Sequence, residues 1–291
     1  FEMSGNRGIY HKGWTAGTRH RIPWITAEAV LPAFDDDNWE LYDTSKDWAQ
    51  ARDLAKENPG KLYELQRLWL IQAAKYNVLP LDDRFVELAD PDLAGRPQIV
   101  RGARQLLFGG MGRLCENAII NYKNRSHAVT AEVVVPASGA EGVIAAVGGI
   151  IGGWSLYCKG GKPNYFYNFF GVKHFRVESK EAIPAGTHQV RIEFAYDGGG
   201  IGLGGAVTLY LDGQIVGDGR VERTHPALFS ADETFDIGRE TGSPVSPDYI
   251  PRKSKFSGEV NWVEIDLGDA AHDADHYISH EERYRIAMAL Q

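Results

Sequence analysis

The sequence predicts an α+β chain in which a small subdomain of short antiparallel strands plus a helix is followed by an antiparallel β-sandwich. Three observations carry this. Glycine (33 of 291 residues) exceeds its average share and aromatics reach 11%, a mixture that favours turn-rich antiparallel structure. Helical periodicity is concentrated in one early segment. Beyond residue 128, period-2 runs alternate with Gly, Asp and Pro turns at intervals of about 10 residues, the pattern of a sandwich.

The elements follow in order. In residues 8–24 (GIYHKGWTAGTRHRIPW) β-branched and aromatic positions alternate with polar ones, and Pro23 closes the run. An acidic turn at Asp35, Asp36 and Asp37 precedes a short strand through Trp39, Leu41 and Tyr42. Asp47 to Lys56 reads as helical. A second helix starts at Asn58 as N-cap with Pro59 at its first position, and Leu62, Leu65, Trp69, Ala73 and Tyr76 form its apolar stripe. Residues 78–103 turn to Pro, Asp and Arg and read as a linker. Strands then follow at Val129–Val135, Gly142–Val147, Trp154–Lys159, Tyr165–Phe170, Gln189–Tyr196, Val207–Asp212 and Glu259–Leu267. Asp212-Gly213 between LYL and QIV predicts a two-residue hairpin turn, because both central residues tolerate positive φ. The expected division is 1–95, 96–268 and a polar, weakly helical tail at 269–291.

Composition excludes several classes. A net charge of -8 gives no general attraction for phosphate backbones, so nucleic acid is not an expected partner. No run of about 18 apolar residues is present, so no membrane span is expected. Two cysteines make neither a disulfide framework nor a thiolate zinc site. The chain opens on Phe1 directly in a patterned segment, which reads as part of a longer protein and leaves the compartment undetermined.

Several motifs carry chemistry on paper. Gly200, Gly202 and Gly205 match G-x-G-x-x-G, but a strand follows where a dinucleotide site needs a helix, so a glycine-rich hairpin loop is expected. His272, His276 and His280 recur every four residues, a spacing that suits a transition metal on a helical face, but the terminal, Gly- and Asp-rich context favours a solvated tail. No metal ligand is assigned. Asn124-Arg125-Ser126 matches a glycosylation sequon and reads as a turn. Cys115 and Cys158 lack a neighbouring base and read as packing residues. His11, Lys12, Arg19, His20 and Arg21 fall within eleven residues of an otherwise acidic chain. Such a cluster can hold an oxyanion, and a solvated strand edge accounts for the same letters. Trp154, Tyr157, Tyr165 and Tyr167 could offer rings to a sugar, although alternation sends half of such residues into a core.

The blocks GNRGIYHKGWTAGTRHRIPW, DDDNWELYD and DLAKENPGKLYELQRLWLIQAAKYNVLPLDDR, over roughly residues 1 to 90, resemble the C-terminal part of an arylsulfatase. The family is that of the formylglycine-dependent sulfatases, within the alkaline phosphatase-like superfamily. The later blocks GMGRLCENAIINYKNRSHAVTAEVVVP, GGWSLY, FAYDGGG, TLYLDG and FSADETFDIGRETGSPVSPDY resemble the extra β-sandwich that larger bacterial arylsulfatases carry, similar to laminin G or concanavalin-type jelly rolls.

The resemblance implies sulfate ester hydrolysis by a formylglycine, made from the cysteine of a C-x-P-x-R segment, with a calcium ion stabilising charge. Neither Cys115 nor Cys158 stands in that segment. Formylglycine and calcium are therefore expected in a missing N-terminal sulfatase segment, and this chain alone has no catalytic residue and is expected to be inactive. The compartment stays unknown, with bacterial cytoplasm and periplasm both open. A lysine expected after the tryptophan is here Thr15, so His11, Lys12, Arg19 and His20 become the candidates for its charge in a substrate-binding set that also includes Thr15. Trp154, Tyr165 and Tyr167 are the carbohydrate-binding candidates. The competing class is a non-catalytic carbohydrate-binding or interaction module.

Overall fold

The computed structural model describes residues 1–22, 31–84, 87–250, 252–267 and 276–289. Contacts divide the chain into two units, Phe1–Leu88 and Ala89–Gln291.

In the first unit β1 (Glu2–Met3), β2 (Asn6–His11), β3 (Trp14–Thr18) and β4 (Trp39–Asp43) form an antiparallel sheet in that order. The β2–β3 turn is Lys12-Gly13, both at positive φ. One face is lined by Ile9, Ala16 and Leu41, cross-strand partners that meet α1 (Pro59–Lys75) through its Leu62, Leu65 and Leu68. The expected stripe is thus present, with Leu65, Trp69 and Ala73 buried. Tyr76 instead lies two-thirds exposed, beyond the end of the helix. Pro59 starts the helix as expected, although Asn58 makes no side-chain cap bond. The helix expected from Asp47 to Lys56 is absent. Asp47 accepts from the Arg52 amide, and Asp53 accepts from the amides of Leu41 and Ala55. These short carboxylate bonds compete with a helical ladder. Pro23 lies outside the described residues.

The second unit is a two-layer antiparallel sandwich. Its strands are β5 (Arg104–Phe108), β6 (His127–Val135), β7 (Gly142–Gly149), β8 (Gly152–Lys159), β9 (Lys162–Phe169), β10 (Lys173–Glu178), β11 (Gly186–Tyr196), β12 (Leu203–Leu211), β13 (Gln214–Arg223), β14 (Phe235–Ile237) and β15 (Glu259–Leu267). One sheet runs β10-β9-β8-β7-β14 and the other β13-β12-β11-β6-β15-β5. Val129, Val133, Ile192, Leu209 and Ile265 from the second sheet pack on Ile144, Leu156 and Tyr165 from the first. The five-stranded sheet is also covered on its outer face, where Val143, Tyr157 and Phe166 meet Val245 and Tyr249 from the loop after β14. The Asp212-Gly213 turn is present, with φ of 50° and 80°. Gly213→Ala is expected to cost about 1–2 kcal/mol through the left-handed backbone alone, read as a lower urea midpoint with unchanged slope.

Residues 89–95, expected in the first subdomain, belong to the second unit. Asp90 caps α2 (Pro91–Ala94) by accepting from the amides of Asp92 and Leu93. Asn121 donates to both Asp90 oxygens and to Asp92, and Arg125 pairs with Asp92 at 2.7 Å. The Pro and Asp content that reads as a linker therefore builds a cap and an ion pair. In the polar tail, α3 (His280–Ala289) is helical.

Candidate functional site

Strand alternation distributes the basic cluster of the first unit over different surfaces. Thr15, Gly17 and Arg19 follow one another at period two and face away from α1. With Arg21, Glu40, Tyr42 and Gln50 they line an open groove of about 530 Å³. Tyr10, the cross-strand partner of Thr15, is two-thirds exposed on the same face. Arg19 is exposed and makes no ion pair among the described residues, whereas Arg21 donates to the Asp83 carbonyl at 2.6 Å. Glu40 accepts from the Tyr42 hydroxyl, so the one carboxylate lining the groove is engaged by its neighbour.

His20 is directed elsewhere. Its ring is fully buried, with Nδ1 at 3.0 Å from both Asp37 oxygens and Nε2 at 3.3 Å from Asp83. It stacks on Phe34 with ring centroids 4.5 Å apart. Arg7 also pairs with Asp37, and its guanidinium lies 5.3–5.9 Å from the ring centroids of Phe34, Trp39 and Trp69. This is a closed network in which both histidine nitrogens are taken, so His20 is corrected from a groove residue to a structural one. His11 faces the same side as Ile9, and Lys12 sits in the hairpin turn, so neither joins Thr15 and Arg19. Of the five candidates, the structure brings two together. Arg21, part of the basic run but not of the candidate set, is the addition, and the i, i+2 spacing from Arg19 is the signal for it.

The ring candidates of the sandwich are core residues. Trp154, Tyr165 and Tyr167 are 1%, 1% and 3% exposed and belong to the cluster between the sheets. Trp154 Nε1 donates to the Tyr122 hydroxyl at 3.0 Å, and the Tyr167 hydroxyl accepts from the His225 amide at 2.7 Å. A sugar platform needs an open ring face, so these three are corrected to packing residues. Tyr157 points outward but is also buried, against Tyr249 and Asp248.

His127 and His225 border this aromatic cluster. Burial pushes each imidazole down to about 4, so both are neutral at pH 7. Glu240 and Glu264 shift the other way, burial raising each carboxyl to about 7. Glu240 accepts from the Val245 amide, while Glu264 makes no hydrogen bond among the described residues and has Arg104 at 3.9 Å.

A cavity of about 360 Å³ opens beside α2, lined by Arg96, Gln98, Asn117, Asn121, Ile119 and Leu228 among others. Beneath it Lys123 pairs with Glu116 at 2.5 Å.

The remaining motifs are structural. Gly200 and Gly202 lie in the β11–β12 loop and Gly205 within β12, as expected for a hairpin. Asn124 holds that loop, accepting from the Gly202 amide and donating to the Pro226 carbonyl. His272 lies outside the described residues, while His276 bonds Glu193 and His280 bonds Arg283. Among the described residues no group of three or more His, Cys, Asp or Glu is placed to hold a metal ion. Cys158 is buried, its thiol pushed far above the ordinary range by burial, and Cys115 lies just before a 3-10 turn; neither is followed by the P-x-R that formylglycine formation needs. Neither cysteine thus fits formylglycine, and no carboxylate cluster among the described residues fits calcium.

No family model and no curated protein matches the sequence. Among solved structures, the chain is similar to the heptameric SAP-like pentraxin of Limulus polyphemus at 16% identity, covering 60% of this chain and 80% of that one, with a TM-score of 0.36. It is also similar to the CBM40 of a Ruminococcus gnavus IT-sialidase bound to α2,3-sialyllactose, at 9% identity, 62% and 98% coverage and a TM-score of 0.40. A third is the LG4-5 domain pair of the mouse laminin α1 chain, at 14% identity, 57% and 39% coverage and a TM-score of 0.34. Similarity at this level does not extend to a ligand.

Proposed function

We propose that the chain is the C-terminal part of a sulfate ester hydrolase of the arylsulfatase type, in which the first unit completes the catalytic fold and the sandwich is an accessory domain. The observation that carries this is the uncovered face of the first sheet. Its four strands pack α1 on one side only, and the other side holds Thr15, Arg19 and Arg21 in one groove. Two guanidiniums with a hydroxyl suit a tetrahedral oxyanion, since charge-assisted N–H donors bind its oxygens more strongly than neutral donors do. Arg19 supplies the charge that Thr15 lacks at the position where the family resemblance expects a lysine. Formylglycine and calcium are assigned to a missing N-terminal segment, and the sulfate ester is the substrate.

The test starts from the DNA upstream of the Phe1 codon. An in-frame C-x-P-x-R is expected there, and the longer protein is expected to hydrolyse p-nitrophenyl sulfate. In that protein Arg19→Ala should lower kcat/KM by about 10- to 100-fold, while Lys12→Ala leaves it within about twofold. An open frame without C-x-P-x-R, or an indifferent Arg19, overturns the proposal.

A second reading, a non-catalytic carbohydrate-binding module, is favoured by the cavity beside α2. Its volume is within the range of small-ligand sites, and it sets the amide of Asn117 beside apolar Ile119 and Leu228. Calorimetric titration with sulfated polysaccharides separates the two, saturable binding that is lost in Asn117→Ala favouring the module.

A further inference from the structure

The six-stranded sheet, like the five-stranded one, is covered on its outer face. Its inward positions are mainly aliphatic, but the outward ones are polar or aromatic and nevertheless buried. Register places them in rows: Glu264, Thr130, Arg191 and Tyr210 in one, and Trp262, Glu132 and Gln189 in the next. Arg191 and Glu264 are each 1% exposed and Trp262 is 2% exposed.

What buries them is the chain's own C-terminal segment. Gln189 donates to the Ile278 carbonyl at 2.7 Å and accepts from the Ile278 amide at 2.9 Å, so a single amide side chain pins the segment as a backbone pair would. His276 stacks on Tyr210 with centroids 4.4 Å apart and bonds Glu193 at 2.7 Å. Arg283 pairs with Glu132 at 3.0 Å and lies over the Trp262 ring, and Glu282 pairs with Arg104 at 2.7 Å.

The segment serves the rim of this face but not its centre. Among the described residues, both Glu264 oxygens, one terminal nitrogen of Arg191 and the Trp262 indole N–H have no hydrogen-bond partner. Leaving such groups buried and unsatisfied costs free energy that native interiors ordinarily avoid. A donor, an acceptor-rich carboxyl and two rings therefore converge beneath a cover that does not satisfy them.

We propose that this face is a binding site for a neutral oligosaccharide and that residues 276–285 are its built-in competitor. The chemistry of the uncovered atoms selects the ligand. A hydroxyl can donate to Glu264 and accept from Arg191 or the Trp262 N–H, which neither a purely cationic nor a purely anionic group does. The apolar face of a pyranose stacks on Tyr210 as the His276 ring now does. Arg283 pairs with Glu132 and His276 bonds Glu193, and these contacts hold the strap over the Tyr210 ring that the sugar would take. This inference is independent of the sulfatase reading, which concerns the other unit.

The experiment uses the full chain on an array of immobilised cello-, manno-, xylo- and galacto-oligosaccharides. With the strap in place, apparent affinity is reduced by the fraction of molecules in which it is open. The double substitution His276→Ala/Arg283→Ala should raise binding of at least one of these glycans by about tenfold and speed amide exchange across 276–285, with an unchanged melting curve. Adding Tyr210→Ala should abolish the gain and Tyr210→Phe should keep it, which separates loss of the stacking ring from misfolding. The proposal is overturned if the double variant binds none of the four better than the unsubstituted chain, if exchange in the strap is unchanged, or if the gain survives Tyr210→Ala.

Discussion

Trp154→Ala is expected to lower the unfolding free energy by about 3–5 kcal/mol, the range for deleting a fully buried aromatic side chain. Trp154 lies between the two sheets with Tyr122, Tyr165 and Phe235 against its ring. The substitution leaves a cavity that strands on both sides are too constrained to close, and it also leaves the Tyr122 hydroxyl without its indole donor. Trp154→Phe should cost roughly half as much, because most of the volume remains. Urea unfolding followed by far-UV circular dichroism reads both. A ring that served as a sugar platform would behave in the opposite way, with an unaltered midpoint and lost glycan binding, so one pair of variants distinguishes the two roles.

The second large effect is on the pH dependence of stability, where two pairs of buried groups oppose each other. His127 and His225 titrate at about 4 in the folded chain against an ordinary value of 6.5. Between those values the unfolded chain binds protons that the folded chain refuses, so their contribution falls as pH drops from 6.5 to 4. Glu240 and Glu264 titrate at about 7 against 4.5, and over that window the folded chain holds protons that the unfolded chain has released. Their contribution rises as pH drops from 7 to 4.5. Each group is worth about 3 kcal/mol over its full window, so the four nearly cancel between pH 6.5 and 4.5 and the unsubstituted chain should show a flat profile there. Single substitutions uncover the slopes. Glu240→Gln should make the chain lose stability steadily toward acid, and His127→Gln should make it gain, with urea midpoints at pH 7, 6, 5 and 4.5 as the measurement. Variant profiles parallel to that of the unsubstituted chain would show that these side chains do not titrate as described.

Legibility in the sequence followed the range of the interaction responsible. The Pro59 helix start and the Asp212-Gly213 turn are set by the residues themselves, and both stand where the sequence puts them. The strands β6, β11 and β15 are readable because their inward positions are mainly aliphatic. In contrast β10 (KHFRVE) and β14 (FDI) have almost no period to read, and pairing with β9 and β7 defines them. Trp154, Tyr165 and Tyr167 could not be placed by alternation alone, since both faces of their sheet are covered. The sequence groups His20 with Thr15 and Arg19, whereas strand alternation keeps those two on one side and sends His20 to the other. The strap over the six-stranded sheet depends on contacts such as Gln189 to Ile278, 89 residues apart, which no local pattern announces.

The stitch from Asp90 and Asp92 to Asn121 and Arg125 bears on how such a sandwich could be exchanged between proteins. A recombination junction at residue 95 would appear to spare every strand, yet it would separate Asp90 and Asp92 from Asn121 and Arg125. A junction ahead of Ala89 moves the sandwich with its own anchor. The portable piece is therefore longer at its N-terminal side than its strands, and shuffling events that preserve it should begin before the Asp-Pro-Asp triplet.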